Sequence, residues 1–115
     1  MQTFTFEATH WRPTFPEGHK RRRRHGHSFR AAVRVAGAVD ERRGYLVDHG
    51  EIKTACEPVR KQLDHSCLNE IPGLSNPTAE VLARWIWERL KAKLPGLAAV
   101  IVFETCTTGC EYRGL

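Results

Sequence analysis

The sequence predicts an α+β domain: an antiparallel, four-stranded sheet with two helices packed on one face. Three patterns lead there. Apolar residues alternate near the N-terminus and again after residue 27, the period lengthens to three and four residues between Glu51 and Leu94, and short β-rich runs return near the C-terminus. Strands on either side of a helix pair place both helices on one face and leave the other polar, wet or joined to a second copy. At 115 residues and 41% hydrophobic content the chain is expected to form a single domain over 1–115 with a modest core. A small sheet with open edges invites pairing, so edge-to-edge association of several copies into a closed barrel is the expected remedy.

The elements follow in order. Thr3 to Ala8 sets Phe4, Phe6 and Ala8 on one side, the period of a half-buried strand. Pro13, Pro16 and Gly18 interrupt regular structure through Arg24. From His27 to Val39 alternation resumes through Phe29, Ala31, Val33 and Val35, a second strand. Charged turn residues from Asp40 to Gly44 then lead into Tyr45-Leu46-Val47, a further strand closing a hairpin. Beyond Glu51, Ile52, Cys56, Val59 and Leu63 recur at helical steps, and Pro58 among them predicts a kink or a late helix start. The second helix is given an N-cap at Asn76, Pro77 at its first position, and one apolar stripe of Val81, Leu82, Trp85, Ile86, Leu90 and Leu94 before Pro95-Gly96. Ala98 to Glu104 and Glu111 to Arg113 supply the closing strands.

Composition narrows the classes of function. The net charge of +5 is concentrated in the run Lys20-Arg21-Arg22-Arg23-Arg24. Such a block attracts polyanions, yet it lacks the interleaved aromatics or motif of a nucleic-acid reader, so no nucleic-acid partner is expected and a solvated loop is the simpler reading. No apolar run approaches the roughly 20 residues that span a bilayer, and no leader pattern opens the chain, so it reads as cytoplasmic with no membrane partner. Cys56, Cys67, Cys106 and Cys110 show no Cys-x-x-Cys spacing and are expected as free thiols.

Two places carry candidate chemistry. In extended chain His25 and His27 project to one side across Gly26, and His10, ending the first strand, is placed to add a third imidazole. Three protein ligands with a fourth position open is the coordination of catalytic zinc, although a His-x-His pair alone also arises among ordinary surface histidines. Asp64-His65 follows the first helix, where a carboxylate can orient an imidazole for proton transfer, although the dipeptide alone also suits a surface loop. Glu104, ending the late apolar strand ahead of Thr105, is either simply solvated or accepts a pair of donors from a guanidine-like edge such as that of a purine or pterin.

Together these pieces resemble the 6-pyruvoyl-tetrahydropterin synthase and 6-carboxytetrahydropterin synthase family over almost the whole chain. The resemblance runs through Phe6-Glu7-Ala8-Thr9-His10, His25-Gly26-His27, Asp48 with Glu51-Ile52-Lys53, Leu63-Asp64-His65 with Leu68-Asn69, Asn76-Pro77-Thr78 with Glu80, and Glu104-Thr105. Pro16-Glu17-Gly18-His19-Lys20, Ile71-Pro72-Gly73-Leu74 and the stretch from Cys106 to Gly114 look like the bacterial carboxy branch of queuosine biosynthesis. What this implies is a tunnelling fold assembled as a homohexamer of two stacked trimers, with zinc on His10, His25 and His27. It also implies Asp64 and His65 as a proton-relay pair, and Glu104 with Thr105 as the anchor of a pterin ring. The implied reaction turns 7,8-dihydroneopterin triphosphate into 6-carboxy-5,6,7,8-tetrahydropterin, acetaldehyde and triphosphate, which gives the arginine run a polyanion to steer.

One position departs from the family pattern Cys-x-x-x-His-Gly-His, because Arg21 stands where the catalytic cysteine belongs. A guanidinium stays protonated and cannot serve as the base. The sequence leaves several explanations open: His19 or Glu17 substitutes, another thiol reaches the site, the chain binds pterin without the usual reaction, or Arg21 is an introduced replacement. His49 is a milder departure, where the family commonly has an aromatic residue after Asp48.

Overall fold

A computed structural model describes residues 1–11, 25–37, 42, 44, 49–104 and 108–114, with the side chains of His25, His27 and His49 outside the description. Arg21, Thr105 and the expected strand at Tyr45-Leu46-Val47 lie outside the described residues. The elements are β1 (Gln2–His10), β2 (His25–Val35), α1 (His49–Leu63), β3 (Ser66–Cys67), a 3₁₀ turn over Leu68–Glu70, α2 (Ala79–Leu90), β4 (Leu97–Phe103) and β5 (Gly109–Tyr112).

Four of the strands, β1, β2, β4 and β5, form the antiparallel ladder that the alternation predicts. A correction comes at the edge. The two-residue β3 joins β1 in parallel, so the sheet is five-stranded and mixed, in the order β3-β1-β2-β4-β5. Two residues carry too little periodicity to be read as a strand; β3 exists because the chain leaving α1 is tied back to β1.

The sheet has two unlike faces. Phe6, Phe29, Val33, Val100 and Val102 are buried beneath Ile52, Val59 and Leu63 of α1 and Leu82, Ile86 and Leu90 of α2. Phe6 and Phe29 stack across the β1–β2 pair at 5.1 Å. Each such side chain contributes about 1.5–3 kcal/mol on burial. Thr3, Thr5, Glu7, Ser28, Arg30 and Arg34 of the opposite face are exposed. Their alternation with the core residues is what a sheet covered on one side requires.

Both helix starts differ from expectation. α1 begins at His49 and runs through Pro58, so the proline does not delay it. Burial of Ile52, Cys56, Val59 and Leu63 outweighs the backbone donor that Pro58 lacks. α2 is capped by Thr78 rather than Asn76: Thr78 is extended, and its hydroxyl accepts the Val81 N–H at 3.2 Å. Pro77 therefore precedes the cap and Ala79 takes the first helical position.

Candidate active site

The β1–β2 ladder brings the histidine positions together. His10 lies opposite His25, and Ala8 lies opposite His27. Opposed residues of an antiparallel pair share a face, so positions 10, 25 and 27 fall on the helix-covered face of the sheet. His10 itself is completely buried, its ring edge-on to Phe29 at 5.4 Å. A buried imidazole at a strand end is costly unless its polar atoms are used.

The same strand fixes the Asp64-His65 pair. The N–H of Glu7 donates to Asp64 Oδ1 at 2.8 Å, and the carbonyl of Glu7 accepts the N–H of His65. Asp64 Oδ2 faces His65 Nδ1 at 3.0 Å, leaving Nε2 directed away from the carboxylate. His65 takes φ 57°, a left-handed conformation costly for a side chain with a Cβ, and its side chain is 81% exposed. The Glu7 N–H holds the Asp64 carboxyl below its ordinary range against the opposing effect of burial, helped by His65 and Arg60. Asp64 is thus ionised at neutral pH and oriented to fix the His65 tautomer.

Beside this pair is an open cavity of about 440 Å³ walled by Glu7, Thr9, Gly26, Ser28, His65 and Cys67 among others. Ser28 Oγ donates to both Glu7 carboxylate oxygens at 2.7 and 2.8 Å. These walls come chiefly from the exposed face. Within one chain, the histidine positions on β1 and β2 and the cavity beside His65 therefore occupy opposite faces of the same two strands.

Glu104 stands one residue past β4, its N–H donating to the Thr108 carbonyl at 3.1 Å. In the sheet it is separated from β1 by β2, and so from the Asp64-His65 pair.

Residues 1–115 match the family described as 6-pyruvoyl tetrahydropterin synthase. The chain belongs to that family. It is a lyase-type enzyme of it, 44% identical over 115 residues to a Synechocystis protein named 6-carboxy-5,6,7,8-tetrahydropterin synthase, with 95% of this chain and 88% of the relative covered. A Pyrococcus furiosus protein named dihydroneopterin monophosphate aldolase is 43% identical over 72 residues, covering 63% of this chain and 60% of its own. The fold is that of Caenorhabditis elegans 6-pyruvoyl tetrahydropterin synthase, with a TM-score of 0.88 at 24% identity over 99% of this chain and 93% of that one.

The histidine positions can be tested for fit to a zinc ion. Three imidazoles are a donor set favoured by zinc, and the buried ring of His10 is fixed by packing before any ion binds. Among the described side chains no three His, Cys, Asp or Glu groups converge, and those of His25 and His27 are outside that set. Cys56, Cys67 and Cys110 are free thiols, as expected.

Sequence reading overlooked the parts that hold the site. Glu7 acts through its backbone as well as its carboxylate, and nothing in residue type marks a backbone role. Asn69 closes the strand beyond His10: its Oδ1 accepts the Trp11 N–H at 3.0 Å while its Nδ2 donates to the Trp11 carbonyl at 2.8 Å.

Proposed function

We propose that the protein converts 7,8-dihydroneopterin triphosphate to 6-carboxy-5,6,7,8-tetrahydropterin, releasing acetaldehyde and triphosphate, in the queuosine branch of 7-deazapurine biosynthesis. The observation that carries the reading is the double use of β1, which ends in His10 opposite His25 and three residues earlier clamps Asp64 and His65 through both backbone groups of Glu7. The name of the Synechocystis relative supports the choice of branch.

In this reading His10, His25 and His27 hold Zn²⁺. Bound there, zinc would supply Lewis-acid polarisation of the hydroxyl oxygens of the substrate side chain and so acidify the adjacent C–H bonds. Asp64 keeps the Nδ1 proton on His65, so Nε2 is free to accept or return a proton. Glu104, with Thr105, accepts the paired N–H donors of the aminopyrimidine edge and orients the ring. The basic run from Lys20 to Arg24 attracts the triphosphate.

The opposite-face arrangement argues for assembly. A relay on one face cannot serve a metal on the other face of the same strands, whereas in a barrel of copies the relay of one subunit can meet the metal of its neighbour. The homohexamer of two stacked trimers is the assembly we propose. Mixing inactive His10→Ala subunits with inactive Asp64→Asn subunits should then restore activity to a substantial fraction of wild type. No restoration in verified mixed oligomers means that the two sets act within one subunit.

Arg21 favours a second reading, a pterin binder without turnover. Purified zinc-loaded protein incubated with dihydroneopterin triphosphate separates the two. Acetaldehyde release above the uncatalysed rate eliminates the binder; tight pterin binding with no acetaldehyde eliminates the synthase. If Arg21→Cys then raises kcat by orders of magnitude at similar affinity, the missing thiol is the cause.

A further inference from the structure

The charged row leading to the relay is accounted for neither by the core nor by the ligand set. Glu57, Arg60 and Asp64 follow one another at steps of three and four along α1 and just past its end, which stacks them on one flank. Arg60 is only about one-third exposed. Its Nε and Nη2 donate to the two carboxylate oxygens of Glu57 at 3.0 and 2.6 Å, a fork that fixes the guanidinium plane. The remaining nitrogen, Nη1, donates to Asp64 Oδ2 at 3.3 Å, the same oxygen that faces His65 Nδ1.

Asp64 is therefore held from three sides: by the Glu7 N–H on Oδ1, by Arg60 on Oδ2, and by the His65 ring it serves. The other ionisable groups around it are the Glu57 carboxylate behind Arg60, the Glu7 carboxylate engaged by Ser28, and the Cys67 thiol of β3 on the cavity wall. Backbone donation by Glu7 alone leaves the carboxyl free to turn about the Oδ1 contact. A planar cation on the second oxygen removes that freedom.

We propose that Arg60, steadied by Glu57, is a positioning residue of the proton relay: it holds Asp64 turned so that Oδ2 meets His65. The proposal rests on the reading of Asp64 and His65 as a relay. A guanidinium suits the task because its fork binds one carboxylate in two places and still presents a third nitrogen to another, which an ammonium cannot do at fixed geometry.

The test uses the intact, zinc-loaded protein and Arg60→Met, Arg60→Lys and Glu57→Gln. The first readout needs no turnover, namely the titration of the Asp64 side-chain carboxyl followed by carbon NMR. In Arg60→Met its midpoint should move to higher pH, though not all the way to an ordinary carboxylate because the Glu7 N–H remains. Arg60→Lys should hold the midpoint near wild type. The second readout is kinetic: Arg60→Met should lower kcat about tenfold with little change in KM and move the acid limb of the kcat profile the same way as the midpoint. Arg60→Lys should recover the acid limb but only part of kcat, and Glu57→Gln should cost about threefold. An Asp64 midpoint unmoved in Arg60→Met overturns the proposal, as does an unchanged kcat. If the wild type releases no acetaldehyde, the synthase reading fails while the carboxyl titration still decides whether Arg60 holds Asp64.

Discussion

The two helices lie against the same sheet and do different work. α2 turns Leu82, Ile86 and Leu90 wholly inward, and its two arginines find partners on its own surface, with Arg89 over the Trp85 ring at 3.5 Å and Arg84 beside Glu88 at 4.0 Å. α1 also buries an apolar stripe, through Ile52, Val59 and Leu63, but its flank carries Glu57 and Arg60 toward Asp64 and then hands the chain to β3, beside β1. One helix holds the fold together. The other both holds the fold and aims a carboxylate. The contrast teaches that a packed face and a working flank coexist on one helix at no cost to each other, since packing uses one side of the cylinder and hydrogen bonding uses another.

Substitutions on the two helices should therefore separate activity from stability. The largest effect is expected at the end of α1. Asp64→Asn keeps the shape but removes the charge that fixes the His65 tautomer, so kcat should fall roughly 10²- to 10⁴-fold. The urea midpoint and bound zinc should stay near wild type, and loss of zinc in this variant would mean that Asp64 supports the metal instead. Next comes Leu82→Ala in α2, where a fully buried side chain leaves a cavity under the sheet. Unfolding free energy should drop by about 2–5 kcal/mol while kcat per folded molecule changes little. A fall in kcat like that of Asp64→Asn would break the division between the helices.

A third test compares two faces of α1 itself. Cys56 is buried against the sheet, and its thiol is pushed up to about 11, first by burial and then by the neighbouring Glu57 charge. Only the thiolate reacts with disulfide reagents, so Cys56 in the native protein should be modified about a hundredfold more slowly than in the urea-unfolded chain at pH 8. Equal rates would show that α1 opens readily on its packed side, and that its flank does not hold Glu57 and Arg60 in a fixed register.

How far the sequence reveals this molecule follows the same division. The packed faces were legible: alternation at Phe4, Phe6 and Ala8 and the stripe from Val81 to Leu94 report burial directly, because burial is what sets those periods. Chemistry-bearing residue types were legible as well, since His10, His25, His27 and the Asp64-His65 pair belong to few side chains able to bind metal or move protons. What stayed hidden depends on contacts between distant backbone groups. Nothing in residues 7, 60 or 69 states that Glu7 grips the far end of α1, that Arg60 reaches Asp64, or that Asn69 closes onto Trp11. The two-residue β3 and the cap at Thr78 were missed for a related reason: three adjacent residues, Asn76, Pro77 and Thr78, all suit a helix start, and only the tertiary fit selects among them.

The smallest predicted effect concerns the joint between α1 and β3, where the two regions meet. His65 at φ 57° links the helix end to the strand edge, with its N–H donated to Glu7. A residue with a Cβ pays about 1–2 kcal/mol in the left-handed region, and glycine avoids most of that while gaining freedom in the unfolded chain. His65→Ala and His65→Gly both delete the imidazole, so their difference isolates the backbone. At most sites alanine is the more stable of the two. Here His65→Gly should exceed His65→Ala by about 0.5–1 kcal/mol in urea unfolding, both being inactive. The reverse order would mean that the turn relaxes once the ring is gone, and that the grip of Asp64 on His65, rather than the clamp from Glu7, bends the backbone.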